Sequence, residues 1–349
     1  LACSMCYIIT DKFQNSVVGA QRMMPWKSVT KIIDEASSLG VPSMSFSWRG
    51  ESTMYKQKDD EGNMKDFADV LAYARKKGIL EITSLTHGQL IDEKFAEKIV
   101  LAEPSWISFS VDGLAPTYNK IRTPPNKAND KNYNAFEKVS ESIKLLDKFK
   151  KKYSKSRPSI RTNSIFPAIQ KDPEAYRNYM ESIGVDFVTV NEIKDFRFHD
   201  LPDDRIQDEW ACQYPFQRLT VSANGIILPC AGAYNEEEGL VIGKYKNSED
   251  KVIRDYKGKV VKTNLDDLSL EQAWNSIKLN EIRDIHKKGR RKEISPGCRN
   301  CHHGTKHHGV DYKPKHWDVA KQQWSVHPIL SEKRNYSSRG NFEKENKKD

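Results

Sequence analysis

The chain has 349 residues, of which 37% are hydrophobic and 30% charged, a composition typical of a soluble protein with one large domain and a smaller one. No apolar run is long enough to span a membrane and no signal peptide is found, so we expect no membrane partner. The formal net charge is +9, but aromatic residues are not interleaved with the lysines as base stacking requires, which argues against a nucleic-acid partner.

Strands and helices alternate along the first 190 residues. The pattern predicts helices at residues 28–39, 64–76, 92–102, 133–150 and 173–183. It predicts strands at residues 41–47, 79–85, 105–111, 159–165 and 185–190. Such alternation indicates βαβ units and a parallel sheet, so we predict an α/β fold. The strand count fits a partial (β/α)6 barrel of parallel strands, whose remaining strand would precede Leu1.

The pattern changes after about residue 200. Two short strands, at residues 218–222 and 226–228, flank Ala223-Asn224-Gly225, and Asn-Gly is a strong hairpin signal. A helix over residues 265–286 would be entered through Ser269, which has Gln272 three residues on, like a capping box. We therefore expect a barrel domain at residues 1–200, a small α+β extension at 205–311 and a polar, disordered tail at 312–349.

The cysteines indicate metal sites. They are Cys3, Cys6, Cys212, Cys230, Cys298 and Cys301. Four of them form two C-x-x-C pairs, which in a chain of this size without secretory features indicate metal ligands before disulfides. A reducing cytoplasm is therefore the expected compartment. Taken alone, the first pair also fits a zinc knuckle or a redox pair, since both use the same spacing.

Polar motifs fall at four successive predicted strands. They are Ser47-Trp48-Arg49-Gly50-Glu51-Ser52, Thr86-His87-Gly88, Ser108-Phe109-Ser110-Val111-Asp112-Gly113 and Ile160-Arg161-Thr162-Asn163. Singly, each fits a solvated loop, a turn or half of a salt bridge. Ligands of parallel α/β folds bind at the carboxyl ends of the strands, so together the motifs predict a binding site at that edge.

The first cysteine pair, the aromatic Tyr7 and these motifs resemble the radical S-adenosylmethionine (SAM) family, which is marked by C-x-x-x-C-x-x-C-aromatic. Cys3 and Cys6 match the second and third cysteines, and the first would lie two residues before Leu1. The resemblance implies a 4Fe-4S cluster on three cysteines, with SAM on the open iron. It also implies an electron donor such as flavodoxin or ferredoxin, and cleavage of SAM to a 5′-deoxyadenosyl radical that abstracts hydrogen from a substrate.

The resemblance assigns SAM contacts to two of the motifs. Gly50 and Glu51 resemble the family's G-E-P motif, whose Glu accepts a hydrogen bond from the SAM amino group, although Ser52 stands in place of Pro. Thr86-His87-Gly88 is similar to the T-N-G turn, but His87 replaces Asn, so no contact is carried over there.

Further contacts are implied at the remaining motifs. Ser110, in the motif that resembles S-x-D-G, would lie near the methionyl and ribose groups. Arg161 and Asn163 lie on the fifth strand of the full barrel, where the family often has a polar SAM contact, and Tyr7 would lie near the adenine. No catalytic base is identified.

The other four cysteines form a second set, namely Cys212, Cys230, Cys298 and Cys301. A hairpin and a distant C-x-x-C turn can together close a tetrahedral four-thiolate site for zinc or a 4Fe-4S cluster. Beside a radical SAM core, the set resembles the auxiliary-cluster domain SPASM in its shorter twitch form. Residues 302–308 hold no cysteine for a second cluster, so we expect one auxiliary 4Fe-4S cluster.

The cysteine inventory also limits the reaction. If both sites form, no thiol of this sequence is left to return a hydrogen atom to a substrate radical. This argues against the interpretation that the protein is a thiol-dependent epimerase. A fully ligated auxiliary cluster cannot coordinate the substrate, so electron transfer or structural support remains. We therefore expect oxidative modification of an organic substrate, such as a sugar, a cyclitol or a peptide side chain.

Two alternatives stay open. A peptide-modifying maturase would use the same parts. A non-enzymatic zinc-binding protein would explain the second cysteine set but neither Gly50-Glu51 nor the Ser110 motif. Candidate substrate contacts, which fit a solvated loop equally well, are Glu192, Asp195, Arg197 and His199.

Overall fold

The structure, a computed structural model, forms two compact units. It describes residues 3, 6–11, 13, 23–191, 211–233, 236, 239–246, 253–254, 260–262, 265–299, 301 and 315–326. Cys3, residues 25–191 and residues 315–326 belong to the first unit, and the other described residues belong to the second. Within these ranges, no helix has both the length and the apolar character needed to cross a membrane.

Parallel strands and helices build the first unit. Its strands up to residue 191 are β1 (Ser43–Ser45), β2 (Lys56–Lys58), β3 (Met64–Asp66), β4 (Glu81–Thr86), β5 (Trp106–Ser110), β6 (Ser159–Ile165) and β7 (Phe187–Asn191). Its helices are α1 (Trp26–Ser38), α2 (Phe67–Lys76), α3 (Glu93–Leu101), α4 (Ala115–Arg122), α5 (Ala135–Lys152), α6 (Phe166–Ile169) and α7 (Pro173–Ser182). Strands β1, β4, β5, β6 and β7 pair in parallel in that order, so the predicted α/β class is confirmed.

Side chains of the sheet alternate between two faces. In β6, Thr162 and Ser164 are buried, whereas Arg161 and Asn163 are partly exposed. Burial raises the pKa of Tyr176 on α7, and hydrogen bonding by Thr162 and Ser164 opposes that rise, so α7 covers the buried face. Arg161 and Asn163 therefore lie on the opposite face of the sheet.

Helix starts in the first unit follow local capping chemistry. Asp92 caps α3 and accepts the N–H of Phe95 over 2.8 Å. The helix predicted at residues 64–76 is wrong at its start, because β3 pairs with β2 as an antiparallel hairpin. Helix α2 begins only after Asp66, which forms a capping box with Asp69.

Short strands and helices build the second unit. Its strands are β8 (Thr220–Val221), β9 (Ile226–Leu228), β10 (Gly243–Tyr245), β11 (Ile253–Arg254), β12 (Val260–Lys262) and β13 (Asp267–Leu268). Its helices are α8 (Leu270–Trp274), α9 (Ile277–Lys287) and α10 (Pro296–Arg299). The predicted hairpin is confirmed, since β8 and β9 are antiparallel across a turn in which Gly225 has a φ of +87°.

The single helix predicted at residues 265–286 is wrong. The chain there forms β13, α8 and α9. The predicted capping box of Ser269 and Gln272 is present, but α8 ends at Trp274. Ser276 then caps α9 by accepting the N–H of Leu279 over 3.2 Å. Ser and Asn side chains bond to nearby backbone groups, and this favours a helix boundary at Asn275-Ser276 over a continuous helix.

Part of the expected disordered tail is a β-hairpin, so that expectation is wrong for these residues. Strands β14 (Lys315–Asp318) and β15 (Gln323–Val326) pair antiparallel, and β14 also pairs antiparallel with β7. Without this hairpin, β7 would be an edge strand with unpaired backbone N–H and C=O groups. Pairing with that edge gives a polar segment an ordered structure that its composition does not predict.

Candidate cofactor sites

A hydrogen-bonded carboxylate lies beside the carboxyl end of β4. Glu51 Oε1 accepts the hydroxyl groups of Thr53 and Thr86, over 2.7 and 2.6 Å, and the N–H of Thr53 over 3.1 Å. Its Oε2 accepts the N–H of His87 over 2.8 Å. Gly50, with a φ of +75°, allows the turn into the short 3-10 helix that Glu51 caps. The carboxylate is thereby held in one orientation, with acceptor capacity left on Oε2.

His87 also packs its ring against this carboxylate. The Nδ1 atom accepts the N–H of Gln89 over 3.0 Å, so Nε2 carries the ring proton, and it lies 3.5 Å from Glu51 Oε2. Burial lowers the pKa of His87, although Glu51 acts in the opposite direction. The ring is therefore neutral at neutral pH. The sequence identified Glu51 but neither Thr86 nor His87 as its partners, although both stand in a motif that it singled out.

Asp112 and Arg122 form a buried ion pair at the end of β5. Asp112 is 1% exposed, and its Oδ2 lies 2.6 Å from Nη2 of Arg122. Its Oδ1 accepts the N–H of Ile165 over 3.2 Å, so one carboxylate joins β5, α4 and β6. Burial lowers the pKa of Arg122, but Asp112 and then Cys3 raise it above its usual value. Cys3, a predicted cluster ligand, therefore lies near a buried positive charge.

Sequence reasoning missed Arg122 because it predicted no helix at residues 115–122. The signal available was the last turn of α4, where Lys120 and Arg122 follow the Asp112-Gly113 turn. Only the packing of α4 on the sheet brings Arg122 back to Asp112, so the spacing alone does not indicate the pair.

Ser110 and Asn163 lie side by side at the same edge of the sheet. They are direct register partners in β5 and β6. The Asn163 side-chain oxygen accepts a hydrogen bond from the side-chain amide of Asn191 at the end of β7. Since β4 and β6 both neighbour β5, these residues and the Glu51 network occupy the carboxyl ends of adjacent strands.

Arg161 takes a different position from the other predicted contacts. It is the register partner of Ser108 and Phe187, two residues before Asn163 on β6. Its guanidinium lies 4.9 Å from the ring centroid of Trp106 and 5.2 Å from that of Phe187. Burial lowers the pKa of Arg161. The structure therefore shows Arg161 packed on aromatic rings below the edge that holds Ser110 and Asn163.

The first cysteine pair is free of disulfide bonds. Cys3 is buried in the first unit, whereas Cys6 and Tyr7 belong to the second. Tyr7 lies in the 3-10 helix Tyr7–Ile9 and packs edge-to-face on Phe13, with ring centroids 5.0 Å apart. Two free thiols suit two of the three ligands of a SAM-binding cluster, and the contact of Tyr7 with adenine stays a prediction.

The second cysteine set lines one cavity in the second unit. Cys212, Cys230, Cys298 and Cys301 face about 450 Å³ of empty space, part of it open to solvent. Cys230 follows β9, and the turn after it carries Gly232. A Cβ atom at Gly232 would lie 3.5 Å from the sulfur of Cys230 and 3.8 Å from that of Cys301, so these two sulfur atoms flank one point. Distant segments of the chain thus converge on the cavity.

The four cysteines are partly exposed as whole residues, but the protein shields three of their thiols from water. Burial, and then the neighbouring cysteines, raise the pKa of Cys212 to about 11 and of Cys230 to about 12. Burial also raises the pKa of Cys298 well above its usual range. Without metal these groups hold their protons at neutral pH, so a metal that binds here displaces them.

The donor set of this cavity suits an iron–sulfur cluster. In the described residues, no group of three or more His, Cys, Asp or Glu side chains is arranged to hold a metal ion. The sulfur atoms surround a cavity instead, and four thiolates are the ligands of a closed 4Fe-4S cluster. The structure thus brings together all four cysteines of the predicted set. Four thiolates are also suitable ligands for zinc.

Some candidates lie outside the described residues. These are the candidate substrate contacts Glu192, Asp195, Arg197 and His199. Their contact with a substrate stays a prediction.

Family models match both units. Residues 1–150 match the model of the radical SAM superfamily, and residues 212–302 match that of SPASM, an iron–sulfur cluster-binding domain. The chain belongs to the radical SAM superfamily and carries a C-terminal SPASM domain. The resemblance drawn from the motifs is confirmed at this level. Within the matched ranges lie all six cysteines, the Glu51 network and Ser110.

Individual relatives of this radical SAM protein are distant. The Fe-coproporphyrin III synthase of Methanosarcina barkeri is 32% identical over 122 residues, which are 35% of this chain and 27% of that protein. The chain therefore spans about a quarter of the length of this curated relative. The structure of native anSMEcpe with bound AdoMet and Kp18Cys peptide has a TM-score of 0.53 at 14% identity, with 88% of each chain covered. The structure of BtrN in complex with AdoMet and 2-DOIA has a TM-score of 0.48 at 14% identity, covering 86% and 87%. The anSMEcpe likeness shows a shared fold.

Proposed function

We propose that this protein is an enzyme that cleaves SAM reductively and oxidatively modifies an organic substrate, with help from one auxiliary 4Fe-4S cluster. The substrate class is a sugar, a cyclitol or a peptide side chain. The observation that carries the proposal is the convergence of four cysteines on one cavity, in a chain whose first 150 residues match the radical SAM superfamily. A flavodoxin or ferredoxin would supply electrons.

In this proposal Glu51, Ser110 and Asn163 of the first unit contact SAM itself. Cys3 and Cys6 would be two ligands of the SAM-binding cluster. Glu51 would accept a hydrogen bond from the SAM amino group on Oε2, whose orientation Thr86 and His87 fix. Ser110 and Asn163, as register partners, would bind the methionyl and ribose groups from the same edge.

Charge at this site also fits SAM. The neutral His87 ring leaves the Glu51 carboxylate to face the ammonium group of SAM without a competing cation on Nε2. Arg122 is compensated by Asp112, so the pair adds little net charge beside Cys3. When bound, the clusters supply the electron that cleaves SAM to methionine and a 5′-deoxyadenosyl radical, and an acceptor for the electron that leaves the substrate.

The cysteine count supports oxidation over epimerisation. Four thiols would ligate the auxiliary cluster fully, and Cys3 and Cys6 would ligate the other. None of the six thiols in this sequence is then left to return a hydrogen atom, so we expect the substrate radical to lose an electron and a proton instead. The overall change in the substrate is a two-electron oxidation.

Product analysis tests this proposal. The reconstituted full-length protein would be incubated with SAM, a chemical reductant and candidate sugars, cyclitols and peptides. We expect 5′-deoxyadenosine together with a substrate that has lost two electrons and two protons. A Cys3→Ala variant should form neither product, whereas Cys212→Ala/Cys230→Ala should still form 5′-deoxyadenosine but not the oxidised substrate. SAM cleavage that yields only an epimerised or otherwise redox-neutral product would overturn the oxidative assignment.

A further inference from the structure

A buried arginine lines the cysteine cavity. Arg291 begins the 3-10 helix Arg291–Glu293 and is only 2% exposed. It lines the same cavity as the four cysteines. Its charge opposes the rise that burial causes in the pKa of Cys212, so the guanidinium lies close to that thiol. A positive charge therefore stands beside the predicted cluster ligands, in the protein interior.

The guanidinium group of this arginine is only partly satisfied by the described residues. Nε and Nη2 of Arg291 are buried and have no hydrogen-bond partner within the part of the chain that the structure describes. Its sequence neighbour Arg290 is exposed and donates from Nε to Oε1 of Glu293 over 2.5 Å. A guanidinium keeps its proton in proteins, and an isolated buried charge is strongly destabilising unless an opposite charge accompanies it.

The cavity itself would hold the opposite charge. A 4Fe-4S cluster bound by four thiolates carries a net negative charge, and one-electron reduction makes it more negative. His286 also lines the cavity, but its Nδ1 accepts the N–H of Cys212 over 3.4 Å and so carries no proton, which makes the ring neutral. Arg218, which also acts on Cys212, is exposed to solvent and therefore more strongly screened. Arg291 is thus the buried cation of the described cavity lining.

We propose that Arg291 compensates the charge of the auxiliary cluster and raises its reduction potential. The inference rests on the proposed function, because it requires a cluster in the cysteine cavity. A fixed positive charge stabilises the reduced cluster more than the oxidised one, since the reduced form is the more negative of the two. Arg291 would thereby make the cluster a better electron acceptor, which suits a substrate oxidation.

Variants of two adjacent arginines separate charge from packing. Arg291→Met removes the charge and keeps an unbranched apolar stem, Arg291→Lys keeps the charge, and Arg290→Met removes a charge from the exposed neighbour. Each would be made in the full-length protein with Cys3→Ala/Cys6→Ala, so that the signal of the auxiliary cluster stands alone. The reduction potential would be measured by redox titration followed by electron paramagnetic resonance.

We expect Arg291→Met to have a more negative reduction potential than the parent protein and to lose iron to a chelator faster than the parent does. Arg291→Lys should stay close to the parent protein, and Arg290→Met should match it. The metal-free forms give an independent test. Because Nε and Nη2 of Arg291 lack a partner among the described residues, metal-free Arg291→Met should unfold at the same temperature as the parent or at a higher one.

Three results would overturn the inference. They are an unchanged potential in Arg291→Met, a lower unfolding temperature of its metal-free form, and loss of the cluster from both Arg291 variants while their metal-free forms stay folded. Loss of the cluster from both Arg291 variants would mean that Arg291 supplies shape rather than charge. Loss of the cluster from Arg291→Met but not from Arg291→Lys would support the inference. If the parent protein itself binds no iron in this cavity, the proposed auxiliary cluster fails instead.

Discussion

The hydroxyl group of Thr86 donates a hydrogen bond to Oε1 of Glu51 over 2.6 Å, across 35 residues of sequence. Thr86 is the last residue of β4, and Glu51 follows β1, which pairs with β4. The bond therefore joins the ends of two neighbouring parallel strands. It also fixes the carboxylate that would bind the SAM amino group.

Replacing Thr86 by Val should weaken SAM binding. The variant keeps the shape of the side chain but removes the donor, and a hydrogen bond to a charged group contributes about 1.5–3 kcal/mol, so a loss of roughly tenfold or more in affinity is expected. Titration calorimetry of SAM into the reconstituted protein measures it. Thr30→Val, on the helix α1, is the matched control. Equal affinity in Thr86→Val and Thr30→Val would show that Glu51 does not need this bond.

Removing Arg122 should destabilise the first unit. Arg122→Met leaves the buried Asp112 carboxylate without its ion pair, and breaking such a pair costs about 3–5 kcal/mol. Urea unfolding of the metal-free protein measures the loss. Lys148→Met is the control, because its ion pair with Glu93 is exposed and an exposed pair contributes at most about 1 kcal/mol. Equal losses in the two variants would contradict the buried-pair account.

The stability of the metal-free second unit should fall in acid because of His286. Burial lowers the pKa of His286 to about 4, whereas an unfolded histidine has a pKa of about 6.5. Between these values the unfolded chain binds the proton and the folded chain does not, so stability is full above pH 6.5 and falls as the pH drops towards 4. This difference in pKa corresponds to a loss of about 3 kcal/mol in the free energy of unfolding.

The check is the urea midpoint as a function of pH, for the metal-free protein and for His286→Gln. Glutamine keeps a side-chain acceptor for the N–H of Cys212, which Nδ1 of His286 accepts over 3.4 Å, but it does not titrate. The difference in urea midpoint between the parent protein and His286→Gln should therefore narrow as the pH falls. Parallel pH profiles would show that another group controls the acid sensitivity.

The alternation of strands and helices was predictable because strand-forming stretches such as Trp106–Ser110 alternate with amphipathic helices that end near a glycine, such as Gly40 or Gly184. The placement of Glu51, Ser110 and Asn163 near one another was predictable from this alternation, since the carboxyl ends of parallel strands meet at one edge, whereas their contacts with SAM stay a prediction. Their partners were not predictable. Thr86 and Arg122 reach them through tertiary contacts, and Arg122 lies on a helix that periodicity did not indicate.

Two further differences also have their cause outside the local sequence. The polar segment that contains β14 is ordered because it pairs with β7, more than a hundred residues away in the chain. Arg290 and Arg291 are identical neighbours in a basic stretch, yet one is exposed and the other buried against the cysteine cavity. Composition predicts a solvated surface for both, because burial is decided by which elements converge on the cavity.

Metal content tests the central claim most directly. Iron, sulfide and zinc would be measured per chain on the anaerobically reconstituted full-length protein and on its Cys212→Ala/Cys230→Ala variant. Two 4Fe-4S clusters predict about eight iron atoms, falling to about four in the variant. Zinc in place of iron, without a brown chromophore, would contradict the account and leave the protein a zinc-binding scaffold.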